Sequence, residues 1–190
     1  MIKISEILAK VETDKIYHHR YGAAYEDIFS KFDRNSPLNI LEVGTQKGGS
    51  LLAWKEYFPN ANVYGVDVVD VVPEKYRTDT VTRIISDIKD WKNDIKWDIV
   101  IDDGSHYLPD VVYVISQYMH KLNDKGIIVI EDVRFPNLMW AVIKNLFDDL
   151  RITIPDYDPR ILWDVRNYDE RRIGAETSYI ITLQQFLHGI

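Results

Sequence analysis

From Asn39 onward the chain alternates short apolar, β-branched runs with segments of helical spacing, and no other feature narrows its fold so far. The runs are NILEV, NVYGV, VTRII, WDIVI and GIIVIE; between them lie AWKEYF and a long helical stretch over residues 109–122. Alternation of this kind indicates βαβ units and a parallel sheet. WDIVI and GIIVI are apolar at nearly every position, as strands are when helices cover both faces of a sheet, and this places them at its centre. Past GIIVIE the pattern predicts a helix over residues 137–150, then two closing strands, LRITI and SYIITL. Upstream, Ile4, Ile7, Leu8 and Val11 fall at helical spacing, and a second helix is expected over residues 21–32.

A chain of 190 residues with 46% hydrophobic composition can bury one core and is short for two. One α/β domain is therefore expected over residues 1–190, with a helical cap (1–35) on a Rossmann-like core (36–190). No repeat or long Pro/Gly/Ser linker divides it. The balance of 23 basic against 30 acidic residues, net −7, argues against polyanion binding, so nucleic acid is not an expected partner. Without cysteine there is no disulfide, thiolate metal site or cysteine nucleophile. No apolar run has signal-peptide length or approaches the roughly 20 residues that cross a bilayer, which predicts a soluble, cytoplasmic protein and no membrane partner.

In open α/β sheets ligands bind beyond the carboxyl ends of the strands, near the point where strand order reverses. The loop after the first run reads EVGTQKGGS, Glu42 to Ser50. Gly44, Gly48 and Gly49 permit positive φ and close backbone approach to a ligand. Their spacing is G-x-x-x-G-G, whereas the pyrophosphate-binding fingerprint of nicotinamide enzymes is G-x-G-x-x-G. The segment ILEVGTQKGGS with GVD looks like the nucleoside half-site of a Rossmann-like methyltransferase using S-adenosylmethionine, a ligand without phosphate. In that reading Glu42 meets the cationic amino group, directly or through water. Asp67, 23 residues after Gly44, accepts hydrogen bonds from the ribose hydroxyls. Thr45, Gly48, Ser50 and Val68 belong to the same half-site, and Ser86 and Asp87, ending the third run, face the adenine amino group. Singly, each glycine could be a turn and each acid a helix cap.

The fourth run ends in Asp102-Asp103-Gly104-Ser105-His106 and the fifth in Glu131-Asp132. Carboxylates gathered at one sheet edge repel and raise one another's pKa unless something positive lies between them. A hard divalent cation answers this. Magnesium takes oxygen ligands and leaves positions for substrate hydroxyls, whose pKa it lowers and which it orients. His106, with an ordinary pKa near neutrality, is the candidate general base. An acidic rim without an ion, and a histidine held near a helix start, are the plainer alternatives.

IDDGSH and VIED, following TDK…HRY…YE and LEVG…GGSL…WKEYFPNA…YGVD, are similar over residues 13–132 to the metal-dependent sugar O-methyltransferases of antibiotic and polysaccharide pathways, of the mycinamicin and macrocin type. The resemblance implies a Rossmann-like, seven-stranded class I methyltransferase sheet, mostly parallel with an antiparallel last strand and helices on both faces. It implies a metal held by Asp103, Glu131 and Asp132, a base at His106, and Asp102 as a support or cofactor contact. It also implies that the segment TDKIYHHRY folds over the mouth of the site. The expected activity is methyl transfer from S-adenosylmethionine, with magnesium or another hard divalent cation, to a sugar hydroxyl of a glycan, nucleotide sugar or glycosylated small molecule. Catechol-type methylation of a phenol, or a cofactor-binding module without chemistry, are the alternatives. A nicotinamide-dependent sugar enzyme is opposed by the missing fingerprint.

His18 and His19 are adjacent, point differently and make a poor chelating pair, so a surface role is expected for both. Residues 155–177 interleave Tyr157, Trp163 and Tyr168 with charges. Such a loop would stack on a sugar, pack on a second subunit of a homo-oligomer, or remain solvated.

Overall fold

The computed structural model describes residues 2–133, 138, 141, 142, 145, 166–167 and 179–184. Five strands, β1 (Asn39–Val43), β2 (Asn62–Asp67), β3 (Thr82–Ile85), β4 (Trp97–Asp102) and β5 (Leu122–Val133), lie parallel in the order β3-β2-β1-β4-β5. These are the five apolar runs of the sequence. Beyond β5 the described residues add β7 (Tyr179–Gln184), antiparallel to β5, and β6 (Arg166–Asn167) on the far side of β7. The expected strand LRITI lies outside the described residues. So do the expected helix over 137–150, apart from residues 138, 141, 142 and 145, and the loop over 155–177, apart from 166–167.

Successive residues of a strand face opposite sides, and the two cores follow from that alternation. Ile40, Ile99, Ile127 and Val129 face one layer with α1 (Ile4–Leu8), α3 (Gly22–Phe29) and α4 (Gly49–Tyr57). Leu41, Val100, Ile128 and Ile130 face the other, with Val111, Val114 and Ile115 of α5 (Leu108–Tyr118). The first layer is rich in aromatic contacts: Phe29 packs edge-on against Trp54 and Phe58, and Tyr25 lies against Trp54. The N-terminal helices thus share one continuous hydrophobic layer with α4. Among the described residues, no helix is long and apolar enough to cross a membrane.

Two local features aim the functional loops. Pro109 sits in the first turn of α5, where its missing N–H costs nothing and its fixed φ starts the helix directly after the DGSH turn. β1 has β2 on one side and β4 on the other, so the chain's crossovers diverge there and leave a crevice beyond the carboxyl ends of β1 and β4.

Candidate active site

A cavity of about 400 Å³ fills that crevice. Of the residues expected around a nucleoside cofactor, Gly44, Thr45, Ser50, Asp67, Val68, Ser86, Asp87 and Asp102 all line it. The Asp67 carboxylate organises the loop: one oxygen accepts the backbone N–H groups of Thr45 (2.9 Å) and Gln46 (2.8 Å), the other that of Val69 (3.1 Å). Gly44 has φ of 81°, and the Asp103 N–H donates to the Val43 carbonyl at 2.9 Å, so the loops after β1 and β4 touch through backbone.

Glu42 and Gly48 do not line this cavity. Gly48, at φ 76°, is the left-handed residue that starts α4. Glu42 is fully buried. One of its oxygens accepts from the Ser50 hydroxyl and the Trp54 indole N–H, both at 2.8 Å. The other makes no hydrogen bond and lies 3.3 Å from the Lys15 ammonium.

Lys15, the lysine of the TDK motif, has a role that its sequence context does not reveal. It comes from α2 (Asp14–Tyr17), whose start is capped by the Thr13 hydroxyl, and its side chain is 1% exposed. Its Nζ donates to Asp103 Oδ2 at 2.6 Å and to the two Glu131 oxygens at 2.9 and 3.0 Å. The positive charge that the gathered acids require is therefore present as an ammonium. Burial works against that charge, but Asp103, Glu131 and Glu42 outweigh it and hold the lysine well above its ordinary pKa. Tyr25 donates a short hydrogen bond to Glu131, which is as deeply buried as the lysine. Asp102, the neighbour of Asp103, is pushed up to about 7 by burial, with one long hydrogen bond from the Gly104 N–H in partial relief.

Toward solvent a second group forms. Asp103, His106 and Asp132 each offer one ligand atom, all within 4.8 Å of one another. His106 Nε2 lies 3.7 Å from Asp132 Oδ2, while Asp132 Oδ1 accepts from the Tyr21 hydroxyl at 2.6 Å and lies 3.3 Å from His19 Nδ1. His106 (φ 56°) and Asp132 (φ 53°) both adopt the left-handed backbone region that disfavours side chains. Strain of about 1–3 kcal/mol per residue persists only where the surroundings impose it, and it collects at functional sites. The DGSH turn is held by Ser105, whose hydroxyl donates to Asp110 at 2.6 Å and accepts from the Tyr107 N–H. Of the three carboxylates expected on a metal, Asp103 and Asp132 belong to this group, and Glu131 faces Lys15 and Tyr25 instead. His19, expected on the surface, reaches the site; His18 shows no such contact among those described.

A second cavity of about 350 Å³ adjoins the first and shares Ser105 and His106 with it. Its other walls include Tyr107, Leu108, Pro109, Val111, Ile130 and Val133. His106 and the acid group thus stand between a nucleoside-sized cavity and a smaller, more apolar one. That layout suits transfer of a group from a donor in the first to an acceptor in the second.

No protein-family profile matches the chain. Curated relatives do. The 8-demethyl-8-alpha-L-rhamnosyl tetracenomycin-C 2'-O-methyltransferase of Streptomyces olivaceus is 35% identical over 151 residues, covering 72% of this chain and 39% of that protein. The mycinamicin VI 2''-O-methyltransferase of Micromonospora griseorubida is 30% identical over 149 residues, covering 68% and 36%. The chain thus spans less than half the length of these relatives. Among solved structures, the MycE methyltransferase of the mycinamycin pathway, in complex with Mg, SAH and mycinamycin VI, superposes with a TM-score of 0.74 at 22% identity, over 100% of this chain and 57% of that one. The plantazolicin methyltransferase BpumL, in complex with SAH and a substrate analogue, gives 0.65 at 12% identity, over 96% and 90%. The fold is that of the class I methyltransferases, with its parallel sheet.

Proposed function

We propose, from the premise that this chain belongs to the sugar O-methyltransferase family, that it transfers a methyl group from S-adenosylmethionine to a sugar hydroxyl of a glycan, nucleotide sugar or glycosylated small molecule. The observation that carries this reading is the position of Asp103, His106 and Asp132 between the two cavities. In the same reading the chain is one domain, and β6 and β7 complete a seven-stranded, mostly parallel sheet with an antiparallel last strand.

The donor occupies the cavity around Gly44 and Asp67. Asp67, already turned toward the loop, takes the ribose hydroxyls, and Ser86 and Asp87 flank the adenine. The carboxylates beyond β4 and β5, Asp103 and Asp132 with Glu131 beside them, fit a hard divalent cation such as magnesium. Asp103 and Asp132 would hold it, with Glu131 on the same strand end, and when bound it would acidify and orient the acceptor hydroxyl. His106 removes the hydroxyl proton at its imidazole, with Asp132 beside it to stabilise the imidazolium. Methyl transfer is an in-line displacement at the sulfonium, for which alignment of the two substrates is the main contribution a protein makes.

The test is S-adenosylhomocysteine release from S-adenosylmethionine in the presence of glycosylated acceptors and magnesium. Turnover is expected to stop with EDTA. His106→Ala and Asp103→Ala are both expected to lose about 10²–10⁴-fold in kcat. A much milder loss for His106→Ala than for Asp103→Ala would indicate a phenolic acceptor, which ionises with less help. Cofactor binding by calorimetry without methyl transfer to any acceptor would reduce the protein to a binding module.

A further inference from the structure

The Lys15 ammonium and a divalent cation make competing demands. Lys15 Nζ takes Asp103 Oδ2 at 2.6 Å and both Glu131 oxygens at 2.9 and 3.0 Å. A magnesium ion drawing on those carboxylates would need them at about 2.0–2.1 Å, with the ammonium only a few ångströms away. Two cations that close, inside a buried site, repel strongly. Meanwhile one oxygen of Glu42 is buried, makes no hydrogen bond and lies 3.3 Å from the same Nζ. A buried carboxylate oxygen that is ion-paired but not hydrogen-bonded still has a position open for a donor.

We infer that Lys15 is a positioning residue that stands in for the cation in the metal-free protein, surrendering Asp103 and Glu131 to an arriving divalent ion and passing to the waiting oxygen of Glu42. The inference rests on the metal reading of the site given above. It assigns Glu42 a function that its burial away from the cofactor cavity leaves open: receiver of the displaced ammonium. Its other oxygen stays anchored by Ser50 and Trp54 throughout.

The backbone of Lys15 need not move for this exchange. Upstream of it, Glu12 is held on two sides: its N–H donates to the Tyr76 hydroxyl at 2.8 Å, and its carboxylate pairs with Lys47 of the loop after β1 and with Lys75. The Glu12 carbonyl also sits so close to Gly49 that a methyl group there would lie 2.4 Å from it. Only the lysine side chain changes partner, over a distance set by the 3.3 Å already separating it from Glu42.

Calorimetric titration with Mn²⁺, alongside thermal denaturation in EDTA, tests this without reference to turnover. Lys15→Met is expected to melt lower than wild type in EDTA, because the acids lose their counter-ion, and to bind Mn²⁺ about tenfold tighter or more, because the competitor is gone. Glu42→Gln is expected to bind Mn²⁺ about threefold weaker or more, although Glu42 is no ligand, because the displaced ammonium has lost its charged receiver. Equal or weaker Mn²⁺ binding by a folded Lys15→Met would overturn the exchange and leave Lys15 as a scaffold for the carboxylates. So would unchanged binding by Glu42→Gln, which decides the matter alone if Lys15→Met does not fold. Failure of the wild type itself to bind Mn²⁺ would remove the metal reading, and the exchange with it.

Discussion

At Gly44 the chain has no room for a side chain: an added methyl group would lie 2.1 Å from the Asp103 carbonyl oxygen, and φ is 81°. The clash is with backbone, so no rotamer change relieves it. Gly44→Ala is expected to lose about 1–3 kcal/mol from the backbone conformation alone. It should also separate the two loops that meet there, giving a lower Tm and weakened S-adenosylhomocysteine binding by calorimetry. Gly44, Asp103, His106 and Asp132 were legible as single residues because each sits in a short motif at a strand end. Lys15, Tyr21 and Tyr25 were not. Their partners lie 88, 111 and 106 residues away, and a pairing of that kind leaves no local spacing to read. The segment TDK…HRY…YE carried part of the family resemblance and was expected over the mouth of the site, but it named no partner for any of the three. For Lys15 the physical clue was present in another form, as an unbalanced charge: the acids demanded a cation, and the chain's own ammonium is one.

The turn that ends α5 shows what an element adds to its residues. His120 lies there, half-buried, and burial together with the nearby Lys96 ammonium pushes its imidazole below the ordinary value of 6.5. Between that lower folded value and the unfolded one, the unfolded chain binds more protons. Stability from this group is therefore complete above about pH 6.5 and is lost as pH falls through the folded value. His120→Gln is expected to flatten the acid side of a Tm-against-pH curve, losing less than wild type between pH 7 and 5. The helical patterns themselves were readable at the level of elements: α3, α4 and α5 fall where apolar spacing and the Pro109 start place them. What α1 and α3 do was not readable. Expected as a cap, they share the aromatic layer of α4, and Tyr25, set in that layer beside Trp54, brings its hydroxyl to Glu131.

Curated relatives match 72% and 68% of the chain, which in turn covers 39% and 36% of their lengths. The cavity proposed for the donor is nonetheless formed within the described residues, so cofactor recognition is testable on this chain directly. At 100 times its Kd, a ligand that binds only the folded state stabilises it by about 2.7 kcal/mol. S-adenosylhomocysteine is expected to raise the Tm accordingly and NAD to leave it unchanged; the reverse would overturn the donor assignment. The sequence by itself determined the parallel α/β order, the strand-end loops and the acids and histidine they carry, since strand periodicity and loop motifs are local properties of a chain. Only the tertiary structure decided how the charges are shared among them. It placed Lys15 inside the acid cluster, turned Glu131 inward and buried Glu42 away from the cofactor cavity, because electrostatic balance in a buried site depends on every group within a few ångströms, however far apart along the chain.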